Sequence, residues 1–290
     1  MAGRTAGDDG RRSGDRGRKP GSSSKPRQTG SKARKGTPSR QSAPSRSGSP
    51  TPAKRSAPDR AAERSRPQRS PAPPLDDDID PRDLDRGVRA ALRSLPDSLA
   101  ETVARHLIAA GRLLEDDPQN ALAHAQYARR LAPRLAVVRE AAGVAAYHAG
   151  DYAAALTELR AVRRMTGDPS FLPMMADAER GLGRPERALT LARDPDVRRL
   201  SPADRVEMSI VASGARRDRG ETGAAVVVLQ GPDLDRTELA PWSVRLWYAY
   251  AAALEDDGRA DDARRWFASV VAIDDEDQTD AADRLAALGG

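Results

Sequence analysis

The stretch Ala141-Ala142-Gly143-Val144-Ala145-Ala146-Tyr147-His148-Ala149-Gly150-Asp151-Tyr152-Ala153-Ala154-Ala155-Leu156 decides how this chain is read. A small residue, Gly143, stands seven positions before a Gly-Asp-Tyr triplet, and Ala155-Leu156 follows at once. Two helices can approach closely only where one presents a small residue and the other fills the space. A glycine between them permits the positive φ that a tight helix–helix turn needs.

The pattern recurs along the chain. Aligning on the turn gives Asp116, Gly150, Gly183, Gly220 and Gly258, with Ala121, Ala155, Ala188, Ala225 and Ala263 as the small residues beyond it. The turn-to-turn spacings are 34, 33, 37 and 38, so the connections near Pro195–Ser201 and Pro232–Pro241 are expected to be longer. A fixed period of tens of residues marks a stack in which each unit leaves an apolar face for the next.

Helix-start signals fit the same scheme. Asp80-Pro81, Asp117-Pro118 and Ser201-Pro202 each place a capping side chain before a proline at the first helical position. Leu84, Val88, Ala91, Leu92 and Leu95 lie on one helical face, and a second helix is expected over about 98–114. Only Ala224–Leu229 resembles a strand, and its place in the period makes it helical. The expected fold is all-α.

These residues closely resemble the tetratricopeptide (TPR) repeat. Trp247, Ala251, Gly258, Ala263 and Phe267 fall at the spacing of the family's signature positions. The resemblance covers roughly 102–276 and is strongest in the second and fifth units. Arg139 stands where the family prefers Trp or Leu, and Asp116 replaces the turn glycine. The resemblance implies an α-solenoid of about five helix pairs, in units of about 102–135, 136–168, 169–203, 206–240 and 244–277. Capping helices are expected at about 81–95 and 279–288.

In the family the first helix of each pair lines a concave groove that binds a protein segment. That mapping puts His106, Glu140, Tyr147, His148, Asp177, Arg180, Arg217 and Tyr248 toward the groove, with Val103, Leu113, Val144 and Ile210 among them. The family members that clamp a C-terminal carboxylate use Lys, Asn and Arg at set places. Here those places hold His106, Ala110, Glu140 and Val144, which argues against that specificity.

Composition divides the chain near Leu75. Before it the only apolar side chains are Met1 and alanines, so residues 1–75 are read as a disordered Ser/Pro/Arg-rich tail and 76–290 as the helical domain. The first 75 residues hold 19 basic and 5 acidic residues, a charge of +14. The rest hold 29 and 38, a charge of −9. All five lysines lie in the tail, and the arginine-only, Ala- and Asp-rich remainder reads as the codon bias of a GC-rich, actinobacterial kind of genome. A flexible cationic tail without aromatics suits sequence-tolerant contact with nucleic acid, as on a ribosome.

Cysteine is absent, which excludes disulfides, thiolate nucleophiles and thiolate-ligated metals. No apolar run approaches the length of a membrane span, and no secretory h-region follows the N-terminus, so a cytoplasmic location is expected. Neither a GxxxxGK[ST] loop nor a GxSxG elbow occurs, and Gly181-Leu182-Gly183 reads as a turn between helices. The run Asp274-Asp275-Glu276-Asp277 lacks the pattern of a calcium loop, and three scattered histidines do not make a metal site. The sequence therefore points to an interaction adaptor, not an enzyme, with no cofactor and no metal.

Overall fold

A computed structural model describes residues 71–289 except Arg236 and Glu238. The tail reading for residues 1–70 lies outside the described residues. Twelve α-helices and no strand occur among those described: α1 (Arg86–Leu92), α2 (Asp97–Arg112), α3 (Pro118–Leu131), α4 (Ala136–His148), α5 (Tyr152–Thr166), α6 (Leu172–Gly181), α7 (Pro185–Ala192), α8 (Pro202–Arg217), α9 (Thr222–Leu229), α10 (Ser243–Asp256), α11 (Ala260–Val271) and α12 (Ala281–Ala287). None of them is long and apolar enough to cross a membrane.

Short turns and side-by-side packing make α2/α3, α4/α5, α6/α7, α8/α9 and α10/α11 antiparallel pairs. Each second helix also packs on the first helix of the next pair; α2 contacts α4, α6 contacts α8 and α8 contacts α10, and Tyr147 on α4 bonds Asp177 on α6. Alternate helices therefore run parallel. The small residue beyond each turn is fully buried: Ala121, Ala155, Ala188, Ala225 and Ala263 are each 0% exposed.

Four of the five intra-pair turns are built alike. Gly150, Gly183, Gly220 and Gly258 have φ of 76°, 69°, 72° and 76°. The residue after each glycine donates its N–H back across the turn, as in Asp151 N to Ala146 O at 2.8 Å and Arg184 N to Glu179 O at 2.9 Å. This is the Schellman closure, which satisfies otherwise orphaned carbonyls at a helix end. The α2–α3 turn differs. It spans Leu113–Asp117, whereas α4–α5 uses only Ala149–Asp151, and Asp116 has no positive φ. The longer connections between pairs carry 3-10 turns at Pro195–Arg199 and Pro232–Leu234.

One expectation at the N-terminal end needs correction. The helix expected over 81–95 is split: Asp80 caps a 3-10 turn at Pro81–Asp83, and Asp85 caps α1 separately. The acidic stretch 76–78 is held on α2. Leu75 and Ile79 pack on Ile108 and Ala109 of α2, and Ile79 is 5% exposed. Arg105 donates to the Asp76 carbonyl at 3.2 Å, and Arg112 pairs with Asp78 at 2.8 Å. Residues 75–79 thus form a strap over a helix face that in α4 is covered by the preceding pair. At the other end α12 packs on α11.

Candidate functional site

The first helices of the pairs present an open channel. One cavity of about 660 Å³ runs from Tyr147 and His148 on α4, over Phe171, Met174, Asp177 and Arg180 at α6, to Asp204, Glu207 and Ile210 on α8. A second, of about 410 Å³, continues past Arg217 and Gly214 to Tyr248 on α10 and Gln278–Asp280 beyond. The two share Arg180, Ile210 and Arg245.

Seven of the residues singled out in the sequence line this channel: Tyr147, His148, Asp177, Arg180, Ile210, Arg217 and Tyr248. Glu140 sits two turns before Tyr147 on α4, half-buried beside Asp168. His106 does not join them. It is 2% exposed and bonded Nδ1 to Nδ1 with His124 at 2.9 Å, under the ring of Tyr127. Val103, at 0% exposure, is likewise core.

His106 stands 18 residues before His124, across α2 and α3, and Arg139 stands 19 before Glu158, across α4 and α5. Arg139 and Glu158 are themselves bonded at 2.6 Å. The buried histidine pair therefore holds the place that an ion pair holds one unit later. Burial, then the charges of His124, Arg105 and Arg130, pulls His106 down to about 4. His124 is lowered by burial, with Asp76 opposing. Both are thereby kept neutral, as a shared Nδ1 proton requires.

Polar groups at the C-terminal ends of the channel helices are paired with each other. Tyr147 donates to Asp177 at 2.6 Å, and burial followed by that carboxylate raises the phenol pKa. Arg180 spans Asp177 at 2.8 Å and Asp218 at 2.8 Å. Its guanidinium lies flat on Gly214, where an added Cβ would come within 2.5 Å of the Arg180 Cζ. Arg217 reaches Asp256 at 2.5 Å. Tyr248 donates to Asp280 at 2.5 Å and accepts from Arg284, which also pairs with Glu255. Tyr147–Asp177, Arg180–Asp218 and Arg217–Asp256 each join one first helix to the next, and Tyr248 ties α10 to α12, so this edge of the channel is stapled.

The N-terminal edge is different. Glu207 pairs with Arg245 at 2.7 Å. Asp204 accepts only from the neighbouring Ser201 hydroxyl at 2.7 Å, and Asp168 accepts the backbone N–H of Ser170. Glu140 is raised by burial and by Asp168. Among the described residues no cation forms an ion pair with Glu140, Asp168 or Asp204. Between the two edges lies an apolar floor of Tyr147, Phe171, Met174, Ile210 and Val211.

The sequence reading did not single out Phe171, Met174, Asp204, Glu207 or Arg245. Signals for the staple were present: Arg180 and Arg217 stand three before a turn glycine, and Asp218 and Asp256 two before the next. Among the described residues no group of three or more His, Asp or Glu is arranged to hold a metal ion. Compared with known proteins, the chain matches no protein-family model and no curated protein sequence.

Proposed function

We propose that the helical part is a TPR-like solenoid acting as an interaction adaptor, which seats a segment of a protein partner in the channel lined by α4, α6, α8 and α10. The observation that carries this reading is the continuity of that channel. Its apolar floor of Phe171, Met174 and Ile210 is left open beside half-buried aromatic and charged side chains. Large open apolar patches rimmed by polar groups mark interaction sites.

The test is site-specific photocrosslinking in cells. A photoreactive residue at exposed His148, inside the channel, is expected to yield a discrete protein adduct. The same residue at exposed Arg187 on α7 serves as the control. Identical adducts from both sites, or none from His148, would end the proposal. A second reading rests on the +14 charge of residues 1–75, which favours sequence-tolerant attachment to nucleic acid. Binding of that kind weakens steeply with salt and is indifferent to substitutions in the channel.

A further inference from the structure

The two edges of the channel differ in what they leave unanswered. At the C-terminal ends of α4, α6 and α8 each charge meets its opposite: Asp177 with Arg180, Arg180 with Asp218, Arg217 with Asp256. Near the starts of the same helices, Glu140, Asp168 and Asp204 form no ion pair with a cation among the described residues, and Glu207 and Arg245 cancel. The parallel course of these helices places the three carboxylates along one edge. Asp204 lines the channel whose floor is Tyr147, Phe171, Met174 and Ile210, as does Ser170, whose N–H bonds Asp168, and Glu140 lies beside Asp168. An apolar floor asks for a bulky apolar side chain, and three uncompensated carboxylates ask for positive charge beside it.

We infer that the occupant of the channel is a protein segment bearing one or two bulky apolar anchors flanked by Lys or Arg, the basic flank lying along the Glu140–Asp168–Asp204 edge. This rests on the channel being a protein-binding site and adds the chemistry of what it selects. Complementary charge steers encounter and rejects wrong partners more than it deepens affinity. An acidic segment is excluded by repulsion from the free carboxylates. A basic segment without apolar anchors leaves the floor wet and gains little.

The experiment is fluorescence anisotropy on the full chain with three labelled 15-residue peptides. The first has Leu and Phe anchors with Lys/Arg flanks, the second the same anchors with Asp/Glu flanks, and the third Lys/Arg flanks with Ala in place of the anchors. The first peptide is expected to bind best. Glu140→Gln with Asp168→Asn and Asp204→Asn, which keep shape and capping, should weaken it about tenfold at moderate salt. Ile210→Glu, or the milder Met174→Gln, should release it, with circular dichroism checking that each variant folds. If Ile210→Glu and Met174→Gln release the peptide but the triple variant does not, the charge assignment fails and the channel stands. The same holds if the acidic peptide binds as well as the basic one and is released by the same variants. If none of the peptides binds, or if binding survives both Ile210→Glu and Met174→Gln, the assignment and the protein-binding reading fall together.

Discussion

The pairs α2/α3 and α4/α5 are built on the same plan and filled with opposite chemistry. Where α4/α5 sets Arg139 on Glu158, with Arg129 reaching over from α3, α2/α3 sets His106 on His124. Where α4/α5 closes Gly143 against Leu159, α2/α3 buries Ala110 and Ala125 in one apolar cluster. A small–large contact has become a medium–medium one, and an ion pair a neutral aromatic pair. The comparison teaches that one helix-pair plan accepts different chemistry at its packed positions.

The strongest way to break the comparison is to unbalance that gap. Leu159 is fully buried, and Leu159→Ala is expected to cost about 3–4 kcal/mol by denaturant unfolding. Gly143→Ala alone should cost about 1–3 kcal/mol by overpacking, because its Cβ would lie 2.7 Å from Leu159 Cδ2. The double variant copies the alanine pair of α2/α3, so it should lose clearly less than the sum. Strict additivity would show that the two positions are not a complementary pair.

Next comes the ion pair. Glu158 is 8% exposed and receives two arginines, so Glu158→Ala leaves both without their carboxylate. A loss of about 2–3 kcal/mol is expected, reduced from the fully buried case because Arg129 and Arg139 keep some solvent. Glu158→Leu, which also lacks the carboxylate but restores volume, should lose less than Glu158→Ala; equal losses would assign the effect to charge alone.

How these features relate to the sequence is instructive. The turn glycines and the buried alanines were legible because a tight turn and a close approach each restrict the residue type at a fixed place. His106 was not legible. The groove mapping assumes the three-residue turn of α4/α5, and the five-residue connection Leu113–Asp117 breaks that register for α2. The strap was hidden by its acidic stretch, although Leu75 and Ile79 flank it. The apolar floor escaped because Phe171 and Met174 lie in the third unit, one of those outside the strongest repeats, where a helix begins without a capping hydrogen bond.

Acid sharpens the contrast between the two pairs. His106 and His124 titrate below their ordinary value near 6.5 when folded, so the folded state holds fewer protons there than the unfolded chain. Their contribution is complete above about pH 6.5 and declines as pH falls toward about 4. A loss on the order of 2 kcal/mol is expected across that window. It should shrink in the His106→Leu, His124→Leu double variant, as read from urea midpoints at pH 7 and pH 5. An unchanged pH dependence would place the titration elsewhere.

The smallest effect concerns the turns. Gly150→Ala forces a side chain to φ 76° and should cost about 1 kcal/mol. Asp116→Gly, in the longer turn with no positive φ, should change stability by less than about 0.5 kcal/mol. A gain from Asp116→Gly comparable to the Gly150 loss would mean that the first turn also depends on a left-handed residue.

The staple on one edge of the channel has a mechanical consequence. Bonds from Tyr147 to Asp177, Arg180 to Asp218 and Arg217 to Asp256 act as stiff ties at one margin, while the opposite margin has no equivalent series. A sheet of rods tied along one margin bends about that margin, as a fan opens from its rivet. The arginine ties are a quarter to two-fifths exposed, so added salt weakens them. The molecule therefore carries an elastic modulus that depends on ionic strength, concentrated along a line of four side-chain contacts at most, and the width of the fan's open side is set from the far edge.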